Sequence, residues 1–467
     1  MNQIIYFIDG GLTSSQLEML HEKAMTVLGK IGLEVANPDI LEFFKNKPGF
    51  KVVGSCLRFD RALLEECVQS SRQQGKKLRM ARPADEPFTV EILSSYPTHL
   101  DDWRSHTVRP MLEKDVVELT RLVDRLYDKG VRGSAAGVPQ DVPPEVRDIR
   151  CYRIGAENCR GGGWVPISSL RSAEWLYRLH QLMEQPFNLD VFVVNPLRAE
   201  GQTFDLMYHF GKRIQSLQVA CMPMMGVTAP VQVMGAFVQA LASVWGAYAM
   251  ARELTGLPYF GVECRIWPVD MRTLEIVYGT PEMVLSDLIT GQLREFYGWF
   301  ENDADAFHSS AIAAGQQAAA QRGAYGMAMA LAGRRHYRFG GLLAVDFVFS
   351  PVQLLLDVEL LRYYQHVVRG FEFSEDAFCM DSILSVGTSG SFLGEETTGH
   401  AYRDVLWRSN RWVSASLPRW QEEGQDTFEK LAQAEIERLI RQHDFHLPED
   451  KARQLDRLCK EAEADLL

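Results

Sequence analysis

The residues best equipped for chemistry in this chain lie where short apolar runs end. Trp164 closes one run, and Glu263, Cys264, Arg265 and Trp267 close another. Trp299, Phe300, Asn302 and Asp303 end a third, and Asp346 and Phe347 a fourth. Aromatic faces and carboxylates suit a quaternary ammonium, which has no N–H to donate and is held by ring faces and distant negative charge. Trp164, Trp267, Trp299, Phe300 and Phe347 are the ring candidates; Glu263, Asp303 and Asp346 are the negative ones. Arg265 or Arg272 can grip a carboxylate at the far end of a zwitterion by a two-pronged contact. For each ring taken alone, core packing is the competing reading.

Other chemistries lack their residues. No H-E-x-x-H, nucleophile elbow or Walker loop occurs. No lysine stands at the end of an apolar run, which argues against a Schiff-base aldolase. Asp303-x-Asp305 with His308 is the nearest approach to a metal set, and an acidic helix start accounts for the same residues. Gly161-Gly162-Gly163 lies within an apolar run, where close backbone packing competes with phosphate binding. Neither a metal nor a nucleotide site is expected.

These ends must be positioned by the elements before them. From about Asp115, apolar runs alternate with helical stretches: Gly130–Gly137, Gly161–Ile167, Leu189–Asn195, Leu217–Gly226, Leu257–Ile266, Arg294–Glu301 and Arg338–Phe349. Each run is followed by a stretch with helical periodicity, giving seven β-then-α units. Such units imply parallel pairing with right-handed crossovers, and seven or eight of them predict a (β/α)8 TIM-type barrel with its site at the strand C-termini. Gly390–Leu393 is the candidate for an eighth strand. The expected organisation is an N-terminal α+β cap over 1–114, the barrel over 115–400, and a C-terminal helical extension over 401–467. Within the cap, Thr13 is placed to cap a helix carrying Leu17, Leu20, Ala24 and Leu28 on one face.

Composition narrows the partners. Forty-nine Lys+Arg against 61 Asp+Glu give a net charge of −12, which disfavours nucleic acid. Eight scattered cysteines without C-x-x-C fit free thiols in a reducing cytoplasm. The apolar stretch Val231–Met250 is interrupted by Gln232, Gln239 and Ser243 and reads as a buried helix, so no membrane partner is expected.

Four segments carry a family pattern. They are Pro223-Met224-Met225-Gly226-Val227-Thr228-Ala229-Pro230; Asp270-Met271-Arg272-Thr273 with Tyr278-Gly279-Thr280-Pro281-Glu282; Val138 to Asp148; and Ser391-Phe392-Leu393-Gly394 with Tyr402-Arg403 and Trp407. In these the chain resembles the trimethylamine methyltransferase family. It contains no pyrrolysine and is therefore similar to the branch that lacks it. The resemblance implies methyl transfer from a quaternary amine, such as glycine betaine or a similar betaine, to Co(I) of a cobalamin (corrinoid) held by a separate cognate protein. By analogy it also implies a homo-oligomer. Ser391, Glu395 and Thr397 depart from the histidines many members carry around the last motif, which leaves the particular amine open. A betaine-binding barrel acting as a sensor, or a barrel lyase, is the alternative.

Overall fold

The structure is a computed structural model that describes residues 2–4, 6–8, 10–80, 86–167, 169–299, 307–409 and 411–467. Phe300, Asn302, Asp303 and Asp305 lie outside the described residues.

The chain is α/β, and its central feature is two arcs of parallel strands. One arc joins β1 (Thr89–Glu91), β2 (Val131–Arg132) and β6 (His336–Arg338), with β1 in the middle. The other joins β3 (Asn188–Val193), β4 (Ser216–Cys221) and β5 (Gly261–Cys264), with β4 in the middle. In the first arc Arg338 pairs with Glu91, and Glu91 with Arg132. In the second, Ala220 pairs with both Phe192 and Glu263. No ladder joins the arcs among the described residues.

Strand side chains alternate between two faces. Leu189, Val191 and Val193 are buried against the surrounding helices, whereas Asn188, Asp190 and Phe192 point to the opposite, partly accessible side. Gln218 and Glu263 share that inner side by register, and Arg338, paired with Glu91 in the other arc, reaches it through its hydrogen bond to Glu263. Each β-strand of the second arc is followed by a helix that returns across its outer face: Gln202–Phe210, Val233–Thr255 and Pro281–Tyr297.

Helix Val233–Thr255 is long and apolar enough to cross a bilayer, but it is mostly buried. It is apolar on all sides because strands line one side and helices Ser14–Lys30 and Arg61–Met80 the other. The outer helix starts at Thr13, whose side chain accepts from the Gln16 amide while Gln16 reaches back to the Thr13 N–H, a reciprocal cap. At the C-terminus, Phe428–Arg441 packs on Glu113–Arg125 and Pro351–Arg369, and Glu449–Leu466 on Arg147–Asn158 and Leu170–Leu182.

Four expectations require correction. The parallel set begins not after Asp115 but at Thr89–Glu91, inside the span expected to belong to the N-terminal cap. Arg294 to Tyr297 continue helix Pro281–Tyr297, closed by Gly298 in the left-handed conformation, so no strand starts at Arg294. Gly390–Leu393 is no strand; Phe392–Gly394 is a single exposed 3-10 turn. Gly161–Gly163 forms no ladder either, yet it packs beside β2: the Ser134 hydroxyl donates to the Gly162 carbonyl, and a Cβ at Gly163 would strike the Tyr152 ring.

Candidate functional site

The inner layer at mid-strand is charged. Arg338 on β6 donates to Glu263 on β5 at 2.9 Å, and Gln218 on β4 donates to the same Oε2 at 2.8 Å. Arg265 lies 3.7 Å from Glu263 and 3.4 Å from Asp287 of helix Pro281–Tyr297. Tyr325 closes the group with a short hydrogen bond to Asp287. Burial alone would raise the Glu263 pKa, but Arg338 and Arg265 hold it well below the usual carboxylate range. Asp190 faces the same space and goes the other way. Burial, reinforced by Glu263 and Glu91 against the pull of Arg338, pushes it up to about 6.

Above this layer, beyond the strand C-termini, an aromatic group closes around one histidine. His308 stacks on Phe339 at 3.7 Å, packs at a tilt against Tyr278 at 4.1 Å, and meets Trp267 edge-on at 5.2 Å. Trp267 and Tyr278 also contact each other at 5.1 Å. Trp267 and Tyr278 come from the connection between β5 and helix Pro281–Tyr297, and Phe339 follows β6. Asp346, nearly buried, places Oδ1 3.3 Å from His308 Nδ1. Burial lowers the His308 pKa despite this carboxylate, so the ring is neutral near pH 7. Burial and the nearby Asp346 raise both Tyr96 and Tyr278, so both phenols stay protonated. Trp267 Nε1 and His308 Nε2 are buried without a hydrogen-bond partner. Buried polar atoms left this way invite a ligand or a water.

The loop that delivers Asp346 is held in an uncommon shape. Ala344, Val345 and Asp346 all have φ between 51° and 72°, the left-handed region that residues with a Cβ rarely occupy in succession. The loop is held from outside: the Ala344 amide donates to Ala311 and the Val345 amide to Ser309. Leu342–Leu343 and Val348–Phe349 flank it and join a four-stranded sheet with His99–Asp102 and Thr107–Pro110. Backbone strain maintained by its surroundings is common where a side chain must be aimed.

The residues expected from the sequence divide accordingly. Trp267, Asp346 and, beneath them, Glu263 and Arg265 come together. Trp164 is half-buried at the same end, its backbone held by Ser134 and Ser95. Phe347 is next to Asp346 but 56% exposed, on the outer edge. Arg265 is engaged by Glu263 and Asp287, and Arg272 is exposed and paired with Asp270 at 2.7 Å. Trp299 is elsewhere: it stacks on Tyr297 at 4.7 Å and approaches Trp245 at 5.6 Å, in the layer between strands and helices. Tyr278 stands in one of the family segments; Tyr96, Phe339, Asp190 and Arg338 were not among the sequence candidates. For Asp190 and Arg338 a signal existed, an ionisable residue inside an apolar strand; for the aromatics in irregular loops there was none.

His308, the nearest candidate for a metal ligand beside Asp303 and Asp305, is enclosed by the rings of Trp267, Tyr278 and Phe339. The one described cluster with metal-like spacing, His21, Glu22 and Glu65, is bridged by Arg61, which donates to both carboxylates and stands where a cation would.

Comparison with known proteins points the same way. A family model described as trimethylamine methyltransferase matches residues 10–154 and 178–465. A trimethylamine methyltransferase MttB from Desulfitobacterium hafniense is 22% identical, covering 97% of this chain and 94% of its own. A glycine betaine methyltransferase from the same species is 23% identical, with 89% of each chain covered. An L-carnitine:corrinoid methyltransferase from Eubacterium limosum is 27% identical, with 82% of each covered. The crystal structure of a hydroxylamine complex of MtmB shares the fold with a TM-score of 0.50 at 14% identity, covering 94% of this chain and 90% of that one.

Proposed function

The chain belongs to the trimethylamine methyltransferase family, and from that premise we propose that it moves a methyl group from a quaternary amine, a betaine such as glycine betaine, to Co(I) of a separate corrinoid protein. The observation that carries this reading is the ring group of Trp267, Tyr278 and Phe339 with Asp346 beside it, beyond the strand C-termini. Rings and one nearby carboxylate suit a methylated cation.

In this reading the two arcs are parts of one (β/α)8 barrel. The Arg338–Glu263 bond, which spans the gap between β5 and β6, supports closure, as does the common inward face of both arcs. The substrate enters at the mouth. Glu263 and Arg265 form its floor, and Trp164, Trp267, Asp346 and Phe347 its wall; Phe300, Asn302 and Asp303 follow on from the same connection as Trp299. Arg265 and Arg272 already have carboxylate partners, so a carboxylate on the substrate would have to compete with Glu263 and Asp287, or with Asp270.

The partner's cobalt(I) supplies the nucleophile, and no base or metal of this chain is required. The chain's own residues have three tasks. Trp267 and Tyr278 orient the cation so that one N–CH3 points out of the mouth. The surrounding apolar wall excludes water, and joining two opposite charges in a dry site favours the transition state in which both disperse. Asp346 adds enough negative charge to draw in the cation; a tighter carboxylate cage would stabilise the ground state and slow transfer. Exposed Phe192, Val194, Met222, Val227, Met271 and Phe347 provide an apolar rim on which the corrinoid protein can seat. The eight free cysteines suit a reducing cytoplasm.

The test is to mix the purified protein with cob(I)alamin and glycine betaine, L-carnitine or trimethylamine, and to follow methylcobalamin by absorbance. Methylation with at least one quaternary amine is expected. None, with the glycine betaine methyltransferase active alongside, overturns the reading.

A further inference from the structure

Helix Gln316–Leu331 contributes no side chain to the ring group, yet the segments that carry the group are tied to it. Gln321 uses both ends of its amide on them. Its Oε1 accepts from the Ser309 hydroxyl at 2.8 Å, and its Nε2 donates to the Tyr278 carbonyl at 3.2 Å. Ser309 follows His308 directly, so one side chain joins the backbone segments on which Tyr278 and His308 stand. The approach is close: Gly279 has a φ of 73°, and a Cβ there would lie 2.7 Å from the Gln321 side chain.

Arg322, the next residue, is fully buried and holds the segment from Phe339 to Asp346. Within that segment Phe339, Gly341, Ala344, Val345 and Asp346 have φ between 51° and 73°. A chain bent in this way leaves buried backbone groups that need partners from elsewhere. Arg322 donates to the Leu342 carbonyl and to Asp357 of helix Pro351–Arg369, which is equally buried. The same Asp357 oxygen accepts from the Gly341 amide at 2.7 Å, and the other oxygen accepts from Gln353 at 2.9 Å.

A buried ion pair by itself adds little stability over an apolar pair of similar volume. Here an apolar pair would leave the Gly341 amide and the Leu342 carbonyl unsatisfied. Both groups lie between Phe339 and Asp346. Those two residues meet His308, one ring to ring at 3.7 Å and the other through Oδ1 at 3.3 Å.

We propose that Gln321, Arg322 and Asp357 are positioning residues: they touch no ligand but set where Tyr278, His308, Phe339 and Asp346 stand, and through them the affinity of the mouth for a methylated cation. The inference rests on the proposed function, which makes the ring group the place where the cation binds. Misplacing a reacting group by about 1 Å is enough to cost about a hundredfold in rate, so small releases of these segments are readable.

The test is calorimetry of the full chain with tetramethylammonium, read beside Tm. Gln321 is only partly buried, and Gln321→Met fills the same space. It should lower Tm little and bind about tenfold more weakly. Asp357→Asn strands the Arg322 charge, so Tm should fall. Its remaining oxygen still accepts from Gly341, and its amide can donate to Gln353 Oε1, which is buried without a partner. Affinity should therefore stay within about twofold of wild type. Arg322→Met/Asp357→Leu is the converse. It leaves no charge buried, so its Tm should lie above that of Asp357→Asn. It also releases Gly341 and Leu342 and should bind about tenfold more weakly.

Affinity that follows Tm across the three variants overturns the proposal, as does wild-type affinity in Gln321→Met and the double variant. Should the double variant not fold, Gln321→Met decides alone. A wild type that binds no tetramethylammonium overturns the ring group as the cation site and this inference with it. A wild type that binds, with variants that bind equally, overturns the positioning alone.

Discussion

Arg338 Nη1 lies 2.9 Å from Glu263 Oε2, although the two residues belong to different sheets. Their bond links the arcs across the interior and sets the charge of the floor beneath the aromatic group. Replacing Glu263 with Gln leaves Arg338 and Arg265 short of a counter-charge in a buried place. It should cost about 3 kcal/mol, read as a lower urea midpoint. Arg338→Met should cost less in the Glu263→Gln background than alone, because the pair is coupled. Additive losses would show that the two residues do not act together.

Trp267 and Trp299 are both buried tryptophans, one beyond a strand and one beyond a helix end, and they should behave oppositely. Trp267→Ala should weaken glycine betaine binding by about 1–2 kcal/mol, measured by calorimetry. Trp299→Ala removes a ring stacked between Tyr297 and Trp245 and should cost about 3–5 kcal/mol of stability, with the affinity of the folded fraction unchanged. A loss of affinity only in the Trp299 variant would reverse the assignment.

Asp346 combines a charge with a φ of 72°, and two substitutions separate these properties. Asparagine tolerates the left-handed region, so Asp346→Asn should keep Tm close to wild type while lowering affinity for tetramethylammonium by about 1–2 kcal/mol. Asp346→Val loses the charge and adds about 1–2 kcal/mol of backbone strain, so Tm should fall as well. Equal affinity of the Asn variant and wild type for the cation would remove Asp346 from the site.

Asp190 makes stability depend on pH. Its pKa is about 6 in the folded chain against an ordinary 3.8, so the native state binds this proton more tightly than the unfolded one. That contribution is complete below the ordinary value and is lost as pH rises through 6. The wild type should therefore lose Tm between about pH 4 and pH 7 relative to Asp190→Asn, and the variant should be the more stable of the two at pH 8. Parallel Tm–pH curves would place the proton elsewhere.

Much of the architecture was legible in the sequence, because it is encoded locally. Alternating strand and helix periods mark the three units from Leu189 to Tyr297, Thr13 marks a helix start, and the all-round apolarity of Val233–Thr255 marks a helix enclosed by neighbours. The family motifs were equally readable, as was the absence of the residues other chemistries need. The site was only half legible. Trp267 and Asp346 could be picked out as strand-end residues, but so could Trp299, and nothing in the sequence separates a ring facing the mouth from one facing the helices. That choice depends on where a strand or helix stops, since a shift of one residue moves a side chain to the other face. The Gly298 helix end decides it for Trp299, and the contacts of Trp267 with Tyr278 and His308 decide it for Trp267. Thr89–Glu91 reads from the sequence as part of the cap, because its place in the parallel arc comes from partners more than 40 residues away on one side and more than 240 on the other. The sequence by itself determined the parts and the class of chemistry; only the tertiary structure decided which side chains meet, because that depends on pairing between distant segments and not on any local pattern.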